Sequence, residues 1–564
     1  MATFPRCFAA ACDPSHNIGL LSTEPLKSES SISTYVPTAK MLLSVVAQCL
    51  LSVAVVRAAV DPELLSQALE KLPQIAQRAI DEGAVPGLSI AVVFNGSVRF
   101  AEGFGVRLVG SNDSVDADTV FQLASVSKPI SSTVVAAIVS SSNITWTSPI
   151  NSPEIIAPYS DPWISAEVAI ADGFSHRSGL FGTSGDDLEV IGFDRSTILS
   201  RLRYMQPFRP FRASYAYSNY GITAAAVAAS NAINQEWEDA AKTYLYSPLG
   251  MTSTSSRYED FLSRTNRAAL HLPASNGTNN TDPSRWQPST PRNPTPQAPA
   301  GGATSSANDL AKWVQLHLAL GDHEGEQLIS QDALNETRVP HVVRGVNPAT
   351  NKTGFYGLGW NVDYDDRSGE VYVDHAGAFS DGARTLVKMS VEDGLGIVVL
   401  ANCFPTGWPE GIADSLFDLV YYGNVTRDWV TFWNGLYEQL VEEGGAPEFE
   451  GTPPGQGQGG SGSLGTEAYV GAYVNDYVGT MDVSSGAGNG STGGGDSGLV
   501  VSFPGQSNAS FPLTHWDRDT FIMYSSPNEP GSGVTFSIGS SGNATAVTVE
   551  MLNGNGGGIL IRET

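Results

Sequence analysis

The sequence predicts an α+β domain followed by a small all-β domain. Strand-like hairpins occur near the start of the first domain and near residue 400, and mostly helical sequence lies between them. Hairpins contributed by both ends of a domain favour one antiparallel sheet flanked by helices, with a helical subdomain. Beyond this domain, a Gly-rich stretch, residues 444–466, is followed by short segments with alternating apolar and polar residues. This pattern is typical of a separate β-barrel or sandwich.

The first domain, residues 60–443, begins with a helix. Residues 61–83 have helical periodicity, with Pro73 expected to kink the helix. Two strand-like runs then flank Asn95-Gly96, a pair typical of a two-residue hairpin turn. The apolar segment from Ser125 predicts a buried helix, because its apolar residues surround the helix on all sides.

The later elements alternate between loop and strand signals. Residues 270–300 are rich in Pro, Asn and Thr and predict a loop. Two strand-like runs around Asp393-Gly394 complete the predicted sheet. Residues 444–466 predict a flexible linker, and residues 467–564 predict the all-β domain.

Composition excludes one class of partner. The chain has 564 residues, of which 41% are apolar, and a formal net charge of -27 from 31 basic and 58 acidic residues. A nucleic-acid partner requires a basic surface, so none is expected. The acidic balance is typical of a soluble protein in an acidic or extracellular medium.

The N-terminal residues predict export. Residues 41–59 form an apolar run followed by small residues, which indicates a secretory signal peptide. Residues 1–40 precede it and are interpreted as a doubtful extension. The alternative is a membrane anchor formed by residues 41–56. Removal of this region would leave Cys403 as the sole cysteine of the mature chain, expected to be a buried, inert thiol.

Glycosylation acceptors support the same interpretation. An N-x-S/T sequence marks a glycosylation acceptor in a secreted protein. These sequences occur at Asn95, Asn112, Asn143, Asn276, Asn279, Asn335, Asn351, Asn424, Asn489, Asn508 and Asn543. We therefore expect a secreted, N-glycosylated protein.

One short motif predicts nucleophilic chemistry. Ser125 and Lys128 stand three residues apart at the start of the predicted helix, so their side chains share one face. A serine hydroxyl becomes a nucleophile when a neighbouring base takes its proton. Lys128 can be that base if burial or positive potential at the helix start lowers its pKa. The motif alone does not distinguish a dyad from a chance spacing.

Further motifs follow in order along the chain. Tyr217 and Asn219 stand two apart in "YAYSNYG", and His375, Gly377 and Ala378 end a predicted strand in "VDHAGA". Together with the Ser125 motif they resemble the serine beta-lactamase and penicillin-binding-protein superfamily, in particular its class C-like esterases and D-stereospecific peptidases. The accessory stretches "HRSGL", "PAGGATSSANDLAKW" and "YGLGW" extend the resemblance over residues 65–440.

The resemblance implies a role for each residue. Ser125 is the nucleophile, and Lys128 and Tyr217 are the general base and acid; Tyr217 protonates the leaving group if the nearby ammonium lowers its pKa. Asn219 is expected to bond Lys128 or the substrate. The N–H groups of Ser125 and Ala378 form the oxyanion hole, and Gly377 permits close approach of the backbone. A structural role, holding a loop, is expected for His176.

His375 departs from the family pattern. Beta-lactamases of this superfamily usually have a lysine there, which grips a carboxylate. A histidine grips an anion more weakly at neutral pH. This substitution disfavours antibiotic hydrolysis, and it predicts that carboxylate-bearing substrates gain as the pH falls through the histidine pKa, near 6.5.

Two functions of different classes remain. The first is a secreted serine hydrolase acting on an ester or amide bond of a small-molecule or peptide substrate. The second is a non-catalytic binding or sensing protein on the same fold; a true beta-lactamase is a further alternative. No metal or cofactor motif is present, so none is predicted. In the C-terminal domain, the stretches "YVGAYVNDYVGTMDV" and "LTHWDRDTF" resemble the lipocalin-like domain of some relatives, which implies that it can form homo-oligomers or border the active site.

Overall fold

A computed structural model describes residues 60–150, 159–274, 285–364, 371–445, 463–486, 496–504, 510–525, 531–554 and 556–563. The doubtful extension (1–40) and the predicted signal peptide (41–59) lie outside these ranges, as does most of the predicted linker. Across the described residues, no helix has the length and apolar character needed to cross a membrane.

The helices of the first domain lie mainly between its N- and C-terminal strands. They are α1 Pro62–Asp81, α2 Ser127–Ser141, α3 Pro162–Glu167, α4 Ile170–Phe174, α5 Asp186–Val190, α6 Arg195–Arg201, α7 Asn219–Asn231, α8 Trp237–Ala241, α9 Tyr258–Ser263, α10 Ala298–Gly301, α11 Ala307–Leu318, α12 Gln331–Asn335, α13 Trp408–Tyr422 and α14 Trp429–Gly445. The last helix extends two residues into the predicted linker.

The strands of the first domain form one large sheet and three small pairs. They are β1 Gly87–Phe94, β2 Ser97–Gly105, β3 Phe121–Gln122, β4 Leu270–Pro273, β5 Trp286–Ser289, β6 Thr304–Ser305, β7 Asp322–His323, β8 Glu326–Gln327, β9 Val342–Asn347, β10 Lys352–Tyr356, β11 Asn361–Tyr364, β12 Val371–Phe379, β13 Ala383–Ser390 and β14 Leu395–Ala401. The large sheet has the order β2-β1-β14-β13-β12-β11-β10-β9 and is antiparallel throughout.

The sheet joins both ends of the domain, as the hairpin signals predict. Asn95 (φ 47°) and Gly96 (φ 74°) form the turn between β1 and β2, since such a turn requires positive φ at both positions. Strand β1 pairs along its length with β14. The predicted α+β fold class is confirmed. Residues 270–300 differ from the predicted loop, because they contain the short pair β4 and β5.

Helices cover both faces of the sheet. On one face, Leu72 of α1 and Ile412 of α13 belong to the same buried cluster as Ile90 and Ile397 of the sheet. On the other face, Trp313 of α11 packs in the cluster that also contains the helical subdomain. Strands β1, β13 and β14 are therefore buried along their full length, which gives the catalytic region a rigid base.

The C-terminal domain is a closed barrel of eight antiparallel strands, which confirms the all-β prediction and decides between barrel and sandwich. The strands are β15 Gly471–Asn475, β16 Gly479–Ser485, β17 Asp496–Ser502, β18 Ser510–Asp517, β19 Thr520–Met523, β20 Ser532–Ile538, β21 Ala544–Val549 and β22 Ile559–Arg562. Pairing between β15 and β22 closes the barrel, so it has no free edge. Tyr473 and Phe536 belong to its buried interior.

Candidate active site

Ser125 lies in a single 3-10 turn, Ala124–Val126, between β3 and α2. Ala124 has φ 48°, a left-handed conformation that costs energy for a residue with a side chain. The flanking residues Ala124 and Val126 are fully buried, whereas Ser125 is partly exposed. The sharp turn therefore presents one hydroxyl to the solvent side from an otherwise closed core.

Lys128 lies in the first turn of α2 and has no exposed surface. Its Nζ is 2.9 Å from Ser125 Oγ and 2.9 Å from the carbonyl oxygen of Ala300. Burial lowers the pKa of Lys128 to about 7, against an opposing effect of Asp186. Of the two causes that the sequence left open, burial and positive potential at the helix start, burial is the first. An amine with this pKa is an effective base near neutral pH.

Tyr217 completes the contacts of the nucleophile. Its Oη lies 2.8 Å from Ser125 Oγ, and the amine of Lys128 lies 4.7 Å from the centre of its ring. Burial raises the pKa of Tyr217 well above its usual value, although the hydrogen bond to Ser125 opposes this shift. The expectation that the lysine lowers this pKa is therefore wrong. Tyr217 stays a neutral phenol and can donate a proton.

Asn219 contacts a carboxylate rather than Lys128, one of its two expected partners. It is the first residue of α7, and its Nδ2 donates to both carboxylate oxygens of Asp186, at 3.2 and 3.1 Å. Sequence reasoning did not find Asp186. Its carboxyl is buried, and burial, with Glu189 next, raises its pKa to about 7. Asp186 is the acidic group that acts on Lys128.

Strand β12 passes beside the nucleophile at Gly377. A side-chain carbon at Gly377 would lie 3.0 Å from the backbone nitrogen of Ser125 and would collide with the Leu123 carbonyl and the Thr385 hydroxyl. Strand β11 pairs with β12 only as far as Asp374. The backbone of residues 375–379 therefore continues past β11 beside Ser125, which is the placement an oxyanion hole from Ser125 and Ala378 requires.

The His375 side chain is buried and fully occupied. It is 5% exposed, its Nδ1 lies 2.8 Å from the Ala376 carbonyl, and its Nε2 lies 2.9 Å from the hydroxyl of Tyr356. A carbonyl only accepts, so Nδ1 carries the proton and Nε2 accepts from Tyr356. Burial, followed by Lys128, lowers the His375 pKa to about 3. The expectation that His375 gains charge near pH 6.5 and grips a carboxylate is wrong.

His176 packs against Tyr217 and bonds the residues beside it. Its Nδ1 accepts from the backbone N–H of Ser218 at 3.0 Å, and its carbonyl accepts from the N–H of Ala216 at 2.7 Å. The imidazole ring lies 4.4 Å from the ring of Tyr217. Burial, with Lys128 and His375 next, holds the His176 pKa well below its usual range. The neutral ring of His176 therefore fixes Ser218 on one side of Tyr217, and the backbone carbonyl of His176 fixes Ala216 on the other.

Residues 67–419 match the sequence profile of the family described as Beta-lactamase. The chain belongs to the beta-lactamase family. The predicted family is thereby confirmed, and residues 457–555 match a second profile, described as a domain of unknown function (DUF3471). Among the described residues of this family member, no group of three or more His, Cys, Asp or Glu side chains is arranged to hold a metal ion.

Similar proteins include hydrolases. The "Unguisins hydrolase ungD'" of Aspergillus campestris is 26% identical over 66% of this chain and 68% of its own length. The "Unguisins hydrolase ungD" of Aspergillus violaceofuscus is 27% identical over 41% of each chain. Penicillin-binding protein 4 of Amycolatopsis lactamdurans is 27% identical over 42% of this chain and 60% of its own. Family and relatives support a serine hydrolase.

A solved structure shares the fold. The octameric penicillin-binding protein homologue from Pyrococcus abyssi has a TM-score of 0.52 and 19% identity, and the likeness covers 87% of this chain and 99% of that one. At this identity the likeness concerns the fold alone.

Proposed function

We propose that this protein cleaves an ester or amide bond through an acyl-serine intermediate on Ser125. The observation that carries the proposal is one pair of contacts: Ser125 Oγ lies 2.9 Å from the amine of Lys128 and 2.8 Å from the hydroxyl of Tyr217. The first group is a buried base and the second a neutral acid. A nucleophile held between a base and an acid is the arrangement acyl transfer requires.

The steps follow from these positions. The unprotonated amine of Lys128 takes the Ser125 proton as Oγ bonds to the substrate carbonyl carbon. The N–H groups of Ser125 and Ala378 stabilise the resulting oxyanion; each such donor is typically worth about 3 kcal/mol. As the bond to the leaving group breaks, Tyr217 gives that group a proton, and the proton held by Lys128 replaces it. Water then cleaves the acyl-Ser125 ester and restores the hydroxyl.

The charges around the site favour substrates without a carboxylate beside the scissile bond. His375 is neutral and occupied. The nearby cations Arg344 and Arg384 are paired with Asp363 and Glu410. A substrate carboxylate would therefore displace an existing ion pair at the cost of leaving a buried charge unpaired. We propose neutral esters or amides, including peptide bonds, ahead of β-lactam antibiotics.

A fluorophosphonate probe, which reacts with activated serines, tests the proposal without knowledge of the substrate. The wild-type protein should be labelled, and mass spectrometry should place the label on Ser125. Ser125→Ala should abolish labelling. Ser141→Ala, which removes a hydroxyl from the far end of α2, where it donates to the Ala137 carbonyl, should not. An unlabelled wild-type protein would support the non-catalytic alternative.

Export and glycosylation are also proposed. The acceptor asparagines within the described residues are all exposed: Asn95, Asn112, Asn143, Asn335, Asn351, Asn424 and Asn543. Exposed acceptors are accessible to glycan transfer. N-terminal sequencing of material recovered from the medium should give a start near Val60, and an endoglycosidase should reduce its mass. Recovery of residues 1–40 in that material would contradict removal of the extension.

A further inference from the structure

A tyrosine of the C-terminal barrel is buried against the catalytic domain. Tyr477 lies in the turn between β15 and β16 and is 3% exposed. Its hydroxyl donates to Asp187 Oδ1 at 2.6 Å and accepts from the backbone N–H of Gly185 at 2.8 Å. Arg201 of α6 donates to the carbonyls of Tyr477 and Val478, at 3.2 and 2.5 Å. The barrel therefore binds the catalytic domain through specific polar contacts.

Residues 181–187 lie between the barrel and the active site. On the barrel side, a side-chain carbon at Gly554 would come within 2.5 Å of the Phe181 ring. On the active-site side, a side-chain carbon at Gly182 would come within 3.0 Å of the Tyr217 carbonyl. We name residues 181–187 the docking segment. Movement of this segment would therefore disturb its contacts with both the barrel and the active site.

Two consecutive carboxylates of the docking segment contact opposite neighbours, one the barrel and the other the active site. Asp187 binds Tyr477, whereas Asp186 accepts from Asn219. Gly185 precedes them with φ 89°, and a side-chain carbon there would lie 2.6 Å from the Tyr220 ring. The turn is thus tightly packed, and the backbone N–H of Gly185 donates to both the Asp187 carboxylate and the Tyr477 hydroxyl.

We propose that Tyr477 is a positioning residue for the active site. It holds the turn of the docking segment and, through its bond to Asp187, limits the negative charge that Asp186 presents to Lys128. On this proposal the barrel is a structural part of the catalytic centre rather than an appended domain. The inference rests on the proposed serine hydrolase function.

The effect on Lys128 passes through the neighbouring charges. Several titratable groups interact electrostatically with Asp186 or Lys128. They are Asp187, Glu189, Tyr217, Tyr220, Tyr477, Arg292, His176 and His375. Burial raises the Asp187 pKa to about 7, and the Tyr477 hydrogen bond opposes the rise. Without that bond Asp187 takes up a proton more readily. Asp186 then loses a neighbouring negative charge and ionises more readily, which stabilises the Lys128 ammonium.

The test compares Tyr477→Phe with wild type in the full-length protein. The readout is the rate of fluorophosphonate labelling as a function of pH, with thermal melting to verify the fold. Loss of positioning should lower the rate at high pH about tenfold. The midpoint of the acid limb should rise by about half a pH unit. The matched control is Tyr473→Phe, which removes a hydroxyl bonded inside the barrel to the Tyr469 carbonyl and should change neither value.

A double-mutant cycle shows whether Tyr477 acts through Asp187. Asp187→Asn removes the charge but keeps an acceptor for Tyr477, so it should raise the midpoint and leave the high-pH rate near wild type. Tyr477→Phe should then cause no further midpoint shift in the Asp187→Asn background, since coupled residues are not additive. If Tyr477→Phe does not fold, the proposal is tested by Asp187→Asn alone, whose acid-limb midpoint should lie above that of the wild type.

The outcomes separate this inference from the proposed function. A wild-type protein that is never labelled overturns the proposed function. A labelled wild type, with Tyr477→Phe or Asp187→Asn giving an unchanged or lower midpoint, overturns the positioning role. Additive midpoint shifts in the cycle also overturn it.

Discussion

The amine of Lys128 lies 2.9 Å from the hydroxyl of Ser125 in a position without exposed surface. Ser125 lies in the 3-10 turn that leads directly into α2, and Lys128 lies three residues later in the first turn of α2, so their spacing is set locally. Burial of the amine is set by the rest of the domain, including the Ala300 carbonyl that it binds. The geometry and the pKa of the proposed base therefore have different structural origins, and each can be tested separately.

Activity should depend on the ionisation of Lys128. Because its pKa is lowered to about 7, the amine is protonated at lower pH and free at higher pH. The kcat/KM for a neutral p-nitrophenyl ester should rise with pH through a midpoint near 7. Lys128→Met should lower kcat/KM by about a thousandfold, within the range for loss of a general base. An unchanged acid limb in Lys128→Met, measured on the residual activity, would contradict the assignment.

Tyr217 should act as a neutral acid over the whole working range. Its pKa is raised well above that of free tyrosine, so no basic limb from its ionisation is expected below about pH 10. Tyr217→Phe should lower kcat by about a hundredfold, with a larger loss for amides than for activated esters, whose leaving groups need no proton. Equal losses for an anilide and a p-nitrophenyl ester would show that Tyr217 does not protonate the leaving group.

The local parts of the site were predictable from sequence, but its long-range contacts were not. The spacing of Ser125 and Lys128 within one turn indicated their contact directly. The contact between Tyr217 and Ser125 joins residues 92 positions apart and was implied only by the family resemblance. No sequence pattern indicated that Asp186 lies in the site, because its position depends on the positive φ of Gly185 and on packing against the barrel.

The fold shows the same division. Hairpin chemistry at Asn95-Gly96 and alternating strands after residue 467 predicted the sheet and the barrel, because both signals are local. The burial of His375 was not predictable in this way. Its partner Tyr356 lies on β10, and the orientation of the ring depends on how β10, β11 and β12 are aligned. A motif comparison shows which residue occupies a position but not whether its side chain is free to bind substrate.

His375 should make no contribution to pH-dependent carboxylate selectivity. Its pKa is lowered to about 3, so it stays neutral between about pH 8 and about pH 5. The ratio of kcat/KM for a carboxylate-bearing ester to that for a matched neutral ester should stay constant within about twofold across this range. The matched neutral ester controls for protonation of Lys128, which affects both substrates. A ratio that climbs as the pH falls toward 6 would restore the anion-binding role.

Gly377 should tolerate no side chain. An added methyl group would meet the Leu123 carbonyl and the Thr385 hydroxyl and would lie 3.0 Å from the Ser125 nitrogen. Strand β12 must then move away from Ser125, which separates the two proposed oxyanion donors. Gly377→Ala should therefore lower kcat by about a hundredfold or more, the cost of losing one donor. The control is Gly435→Ala, because a methyl group at Gly435 of α14 meets no atom within 4 Å outside the adjoining backbone of its own helix and alanine favours a helix. Circular dichroism verifies that both variants fold. Wild-type kcat in a folded Gly377→Ala protein would mean that β12 does not supply the oxyanion hole.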